Sequence, residues 1–177
     1  MLKRGHIYLI GLSGSGKTTV GKILSKKLKR TFVDIDRMIE KNVKKSIMRI
    51  FEEDGEPEFR RMEAAAIKKN AGQSGRSMVL ALGGGAFEYP TNRKHVAASG
   101  ISIWLRCPIN ELSRRLKSIS DRPLLKGNNL KRRLGAQLKK RLPNYRQADL
   151  QISTSHMTPG QATNEIIKML KKKYAAD

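Results

Sequence analysis

Gly11-Leu12-Ser13-Gly14-Ser15-Gly16-Lys17-Thr18-Thr19 is the stretch on which the fold of this chain turns. It spells G-x-x-x-x-G-K-T, a glycine-rich loop of the kind that cradles phosphates. Ahead of it, Ile7, Tyr8, Leu9 and Ile10 form a short apolar run, as in a strand buried within a parallel sheet. Behind it, Val20, Ile23, Leu24 and Leu28 recur at helical spacing. The loop therefore joins a strand to a helix, which is the setting the motif needs.

That setting has chemical consequences. Gly11, Gly14 and Gly16 reach backbone angles closed to other residues, so successive N–H groups can point into one cavity. The helix that starts there adds partial positive charge. Gly14, Ser15, Gly16, Lys17, Thr18 and Thr19 are thus the candidate ATP-binding residues. Lys17 would reach the β- and γ-phosphates, and the Thr18 hydroxyl would hold the Mg²⁺ that bridges them.

The chain's 177 residues suit one domain, residues 1–177, and 38% hydrophobic residues argue against disorder. No apolar run approaches the ~20 residues of a membrane span. Met1-Leu2-Lys3-Arg4 leads almost at once into the first strand, leaving no room for a signal peptide. A single cysteine, Cys107, excludes an internal disulfide and suits a reducing compartment. The expected location is the cytoplasm, and a monomer is the default. Lys and Arg total 37 against 15 Asp and Glu, a net charge of +22. Nine of the 15 acids lie between Asp34 and Glu63, whereas Arg122 to Arg146 holds nine basic residues and no acid. Such a balance suits either an anionic small substrate or a polyanionic partner.

Apolar runs and helical periods alternate along the chain. Strands are expected at 6–10, 31–34, 77–82, 101–105 and 149–153. Helices are expected near 16–30, 36–44, 57–70, 91–98, 108–118, 128–140 and 159–173. The last begins with Thr158 as N-cap, Pro159 at the first position and Gln161 three residues on. This order predicts an α/β fold of three layers, a five-stranded parallel sheet with helices on both faces. Residues 35–63 and about 118–129 fall outside that framework. They are natural places for a helical substrate-binding insert and a mobile lid.

Further motifs narrow the chemistry. Asp34-Ile35-Asp36 follows the second strand, where alternation would put both carboxylates on one side of the strand end. One could order Mg²⁺ through water and the other take a proton from an attacking hydroxyl. A capping Asp on the following helix is the competing reading. In Phe59-Arg60-Arg61-Met62-Glu63, Arg60 and Glu63 are helical neighbours, and a paired Arg is held ready to clamp an anion bidentately. Gly83-Gly84-Gly85 ends the third strand and lets backbone approach a ligand closely. Arg122, in Asp121-Arg122-Pro123-Leu124-Leu125, could deliver positive charge to a transferring phosphoryl group on lid closure. Arg141-Leu142-Pro143-Asn144-Tyr145 places another Arg after a basic helix. His6, His95 and His156 show no metal-ligand spacing and receive no role.

Taken together and in this order, these motifs resemble the shikimate kinase family over essentially the whole chain. The resemblance implies transfer of the γ-phosphoryl of ATP to the 3-hydroxyl of shikimate, a small carboxylate, on the way to chorismate and the aromatic amino acids. It implies Asp36 as general base and Asp34 as a ligand ordering Mg²⁺ through water. It implies Arg60 and Arg141 as the clamp on the carboxylate, with Gly83, Gly84 and Gly85 lining the acceptor site. Lys17 and Arg122 would then stabilise the transferring phosphoryl group. Either Arg114 or Arg115 would stack on adenine, and residues 153–159 resemble the adenine-side loop.

Two alternatives share these features. A related small-molecule kinase, such as one acting on gluconate, would have the same loop and fold, but the Arg60–Glu63 pair and the Arg141 element favour shikimate. A basic nucleic-acid-binding protein on a kinase fold would explain residues 122–146. Against it, the nine Phe, Trp and Tyr residues are not interleaved with the basic runs, so nucleic acid is not a required partner.

Overall fold

The computed structural model describes residues 5–73, 75–117 and 130–175. The expected lid at 118–129, with Arg122, lies outside the described residues.

Five strands, β1 (His6–Ile10), β2 (Thr31–Asp34), β3 (Met78–Ala81), β4 (Gly100–Arg106) and β5 (Leu150–Ser153), form one sheet in the order β2-β3-β1-β4-β5. Every pairing is parallel, with Ile7 opposite Val79 on one side and Ile101 on the other. Helices are α1 (Lys17–Leu28), α2 (Ile35–Val43), α3 (Ile47–Glu53), α4 (Gly55–Ala71), α5 (Pro90–Ser99), α6 (Ile109–Lys117), α7 (Leu130–Tyr145) and α8 (Pro159–Ala175). A short 3₁₀ turn, Ala86–Glu88, links β3 to α5.

Strand alternation sorts the core into two layers. Ile7, Leu9, Val79, Ile103 and Ile152 pack with Val20 and Leu24 of α1 and with Ala162, Ile166 and Leu170 of α8. Tyr8, Ile10, Leu80 and Trp104 face the other way, against side chains of α2 to α7 such as Ile35, Ile50, Phe59, Ile67, Val96, Leu112 and Leu134. Helices thus cover both faces, as the alternation of elements predicts. The capping box at α8 forms: the Thr158 N–H donates to Gln161 Oε1 at 2.8 Å, and the Gln161 N–H donates to Thr158 Oγ1 at 3.2 Å.

Two helices differ from expectation. Helix α3 was not anticipated. It is only two turns long, begins where Ser46 Oγ accepts the Arg49 N–H, and buries one residue, Ile50, so its apolar period is too brief to read. Helix α7 does not stop near residue 140 but runs through Pro143 to Tyr145. Arg141 therefore sits in its last turns rather than after it. Proline normally breaks a helix; here contacts from Arg141 and Tyr145 to the chain after β3 hold the final turn.

Candidate active site

The phosphate loop crosses the C-terminal edge of the central strand β1, where ligands bind in open parallel sheets. Gly16 caps α1 at φ 95°, and Gly14 adopts φ 82° with a Cβ position 2.9 Å from Leu116 Cγ, so neither place suits a side chain. Ser15 is buried, and its Oγ has no hydrogen-bond partner among the described residues. An unpartnered hydroxyl in a glycine-rich loop at a helix N-terminus fits the phosphate chain of ATP.

Lys17 Nζ donates to the carbonyls of Gly11 at 2.8 Å and Leu12 at 2.9 Å. Burial pushes its pKa down to about 8, against the upward pull of Asp36 and Asp34. Beside it, the Thr18 hydroxyl donates to Asp34 Oδ2 at 2.7 Å. A hydroxyl and a carboxylate in contact, next to a phosphate cradle, make a hard oxygen pair of the kind Mg²⁺ takes when phosphates and waters complete its shell.

Asp34 closes β2 and its Oδ1 accepts the Arg37 N–H at 3.3 Å, so it is also the N-cap of α2. Asp36 already lies in the first turn of that helix. Strand alternation is therefore not what gathers the two carboxylates; the strand-to-helix corner is. Asp36 Oδ1 is buried with no partner among the described residues. Burial raises its pKa, opposed chiefly by Lys17.

The three glycines after β3 each lie against a different functional group. A Cβ on Gly83 would collide with Glu63 Oε1 and come within 2.8 Å of Asp36 Oδ1. One on Gly84 would lie 3.2 Å from Arg141 Nη1, and one on Gly85 2.7 Å from Arg60 Nη2. Gly84 also abuts the phosphate loop, 3.6 Å from Gly11 O and Ser13 N by the same measure. Asp36, Arg60, Glu63 and Arg141 thus meet around one bare stretch of backbone, next to the ATP cradle.

Arg60 is held from several sides. Its Nη1 donates to Glu63 Oε2 at 2.9 Å, and its Nε and Nη2 donate to Glu56 Oε1 at 3.1 and 2.9 Å. It stands over the rings of Phe59, 5.2 Å from the centroid, and Tyr89, 5.8 Å away. Glu63 is fully buried, and burial pushes its pKa up to about 7 despite Arg60. Arg141 Nε donates to Glu88 Oε1 at 2.8 Å. Four residues further on α7, the buried Tyr145 hydroxyl donates to Gly84 O at 2.5 Å, and its ring packs on Trp104. Tyr145 thereby fixes the glycine backbone to the helix that carries Arg141.

Sequence reasoning missed Glu56, Glu88 and Tyr89. Glu88 left a signal: it is the sole acid between Glu63 and Glu111. Of the two arginines considered for adenine, Arg114 is exposed. Arg115 turns toward the loop, with Nη2 2.5 Å from Glu111 Oε1 and 3.5 Å from Thr154 O, and its Nη1 lies 3.9 Å from a Gly16 Cβ position. Cys107 is a buried free thiol, and His6 is a buried residue whose Nδ1 accepts the Met78 N–H. Among the described residues, no helix is long and apolar enough to cross a membrane.

Comparison with known proteins identifies the family. The profile described as "Shikimate kinase" matches residues 13–171. A curated shikimate kinase from Persephonella marina is 40% identical over 166 residues, covering 94% of this chain and 99% of that protein. The solved structure of shikimate kinase from Acinetobacter baumannii in complex with shikimate superposes with a TM-score of 0.90 at 34% identity, covering 97% of this chain and 96% of that one. A gluconokinase from Sinorhizobium meliloti covers 99% of both chains at 17% identity and a TM-score of 0.65, a likeness of fold alone. The chain belongs to the shikimate kinase family and is an ATP-dependent kinase.

Proposed function

We propose that this chain phosphorylates the 3-hydroxyl of shikimate with a division of labour set around Gly83, Gly84 and Gly85. The observation that carries the reading is that Asp36, Arg60 and Arg141 converge on these glycines beside the phosphate loop. Arg60 and Arg141 clamp the acceptor carboxylate, and paired guanidiniums suit its planar shape. That anchors the ring so that one hydroxyl faces Asp36. Burial has raised the basicity of the Asp36 carboxylate, and it accepts the hydroxyl proton as the oxygen forms its bond to the γ-phosphorus. The bond from that phosphorus to the bridging oxygen of ADP breaks in the same displacement.

Lys17 leaves the Gly11 and Leu12 carbonyls to hold the phosphoryl oxygens, a charge-assisted contact stronger than the pair it replaces. Thr18, and Asp34 through water, would hold Mg²⁺, which when bound would neutralise charge on the phosphates. Arg122 is assigned, by resemblance, to the same task from the lid at about 118–129, and residues 35–63 to the acceptor-binding insert. We place adenine on the Arg115 side, since Arg115 lies between Gly16 and Thr154. A cytoplasmic monomer of one domain is the form in which we expect it to act, testable by light scattering on the purified chain.

The direct test is ADP release from MgATP with and without shikimate, with gluconate as control. Shikimate-dependent turnover of roughly 1 s⁻¹ or more is expected, with none on gluconate. Arg60→Ala should raise the shikimate KM by about a hundredfold, the size of a lost ion-paired contact, and leave the ATP KM within about twofold. Equal effects on both would remove Arg60 from the acceptor site.

A further inference from the structure

The turn after the three glycines touches both arginines of the clamp with consecutive residues. Glu88 accepts from Arg141, and Tyr89 lies under Arg60. The turn is well fixed. The Glu88 N–H donates to Gly85 O at 3.0 Å. Arg93 Nη1 donates to the carbonyls of Phe87 and Glu88, each at 2.8 Å, and Asn92 Nδ2 to Ala86 O at 2.9 Å. The side chains of Glu88 and Arg141 are only 16% and 14% exposed, so solvent screens their pair weakly. Among the described residues, the other oxygen of Glu88 reaches the exposed Lys140, at 3.5 Å.

We propose that Glu88 is a positioning residue of the acceptor site: it holds Arg141 by Nε, so that the terminal nitrogens, over Gly84, are presented to the shikimate carboxylate. This rests on the reading of Arg141 as half of the clamp. A guanidinium offers five N–H donors in a rigid fork. Occupying the Nε edge fixes the plane; the Tyr145 hydroxyl takes one further N–H, and the terminal nitrogens keep donors for a second partner. Without Glu88 the guanidinium is free to turn toward another carboxyl group that feels its charge, the buried Glu63, whose Oε1 has no partner among the described residues. Arg141 would then serve an internal acid instead of the ligand.

The test is Glu88→Gln in the full chain, which keeps the side chain's size and removes its charge. Steady-state KM and kcat are measured for shikimate and for its methyl ester, which keeps the three hydroxyls but has no carboxylate. The shikimate KM should rise about tenfold, as for one weakened charge-assisted hydrogen bond. The shikimate kcat and the ATP KM should stay within about twofold, and the ester's kcat/KM should change by less than about twofold. Glu88→Asp should recover part of the shikimate KM, and carries the same comparison if Glu88→Gln folds poorly. An unchanged shikimate KM, or equal losses on acid and ester, would overturn the proposal, the latter reducing Glu88 to a structural brace. Arg141→Ala separates the two layers of inference. If it leaves the shikimate KM unchanged, the clamp reading falls and Glu88's role falls with it. If it raises that KM while Glu88→Gln does not, only Glu88's role is lost.

Discussion

Glu63 should make the unliganded protein less stable as pH rises, and Glu63→Gln should abolish that effect. The carboxyl is fully buried, with one oxygen on Arg60 and the other without a partner among the described residues. Burial outweighs Arg60 and lifts its pKa from 4.5 to about 7. Because the folded value is the higher one, the native state keeps a proton that the unfolded chain has released between pH 4.5 and about 7. Stability from this group is full below the lower value and is lost as pH climbs through the upper one. The shift corresponds to about 3 kcal/mol. Glutamine keeps the volume and has no proton to exchange. The stability difference, variant minus native, should therefore move in the variant's favour with rising pH, by about 2–3 kcal/mol between pH 5 and 8. In melting temperature that is a relative swing of roughly 5–10 °C for a chain of this size. Urea unfolding of both proteins at half-unit pH steps reads it directly, and comparing the two cancels every other titrating group to first order. A difference that stays flat across the window, or shrinks with pH, would mean that Glu63 is ionised throughout. Ion pairing with Arg60 would then have beaten desolvation, and the account of this buried pair would be wrong.

Three further outcomes follow from the site. Asp36→Asn should lower kcat by roughly 10²–10⁴-fold with little change in either KM, the loss expected for a general base; single-turnover mixing would show whether chemistry is the slowed step. Lys17→Met removes an ammonium whose pKa burial depresses to about 8, so the unliganded variant should melt no lower than the native chain at pH 7. Saturating MgATP, which should stabilise the native chain by about 2.7 kcal/mol at a hundred times Kd, should leave the variant's melting temperature unmoved. Arg122→Ala should reduce kcat far more than either KM, since a cation on the expected lid would act late, and normal turnover would take Arg122 out of the mechanism.

Most of the candidate site was legible because its residues come in short, rigid spacings. The phosphate loop is a local motif between a strand and a helix. Arg60 and Glu63 sit three apart on one helix, and the three glycines end a strand. What escaped reading depends on contacts across the chain. Helix α3 is fixed by Ser46 and by burial of Ile50 in a core built from distant elements. Helix α7 survives Pro143 because Arg141 reaches Glu88, 53 residues away, and Tyr145 reaches Gly84, 61 residues away. The Asp34–Asp36 pair was found for an incomplete reason. Period-2 alternation stops at Asp34, and a helix corner rather than a strand edge turns Asp36 inward. Glu88 and Tyr89 carry no motif, and only the approach of α4 and α7 gives them meaning.

The same contacts bear on the net charge of +22, which catalysis alone does not explain. The acids are not spread evenly over the surface. Glu56 and Glu63 hold Arg60, Glu88 holds Arg141, Glu111 holds Arg115, and Asp34 holds Thr18. Among the described residues near the site, Arg60, Arg115 and Arg141 are each held by a carboxylate. Away from it, exposed lysines on α1 and α8 such as Lys22, Lys26, Lys168, Lys171 and Lys172 carry much of the excess. These two populations act over different ranges. The unpaired surface charge attracts ATP and shikimate, both anions, but is screened beyond about 8 Å at physiological salt. The paired arginines contribute little net field, because each has its own acid beside it. Their contribution is direction: guanidinium edges fixed in place by Glu56, Glu63 and Glu88, with the remaining N–H groups turned to the glycines. On the proposed clamp, overall charge governs how fast anions arrive, and the acids beside the arginines govern which anion fits.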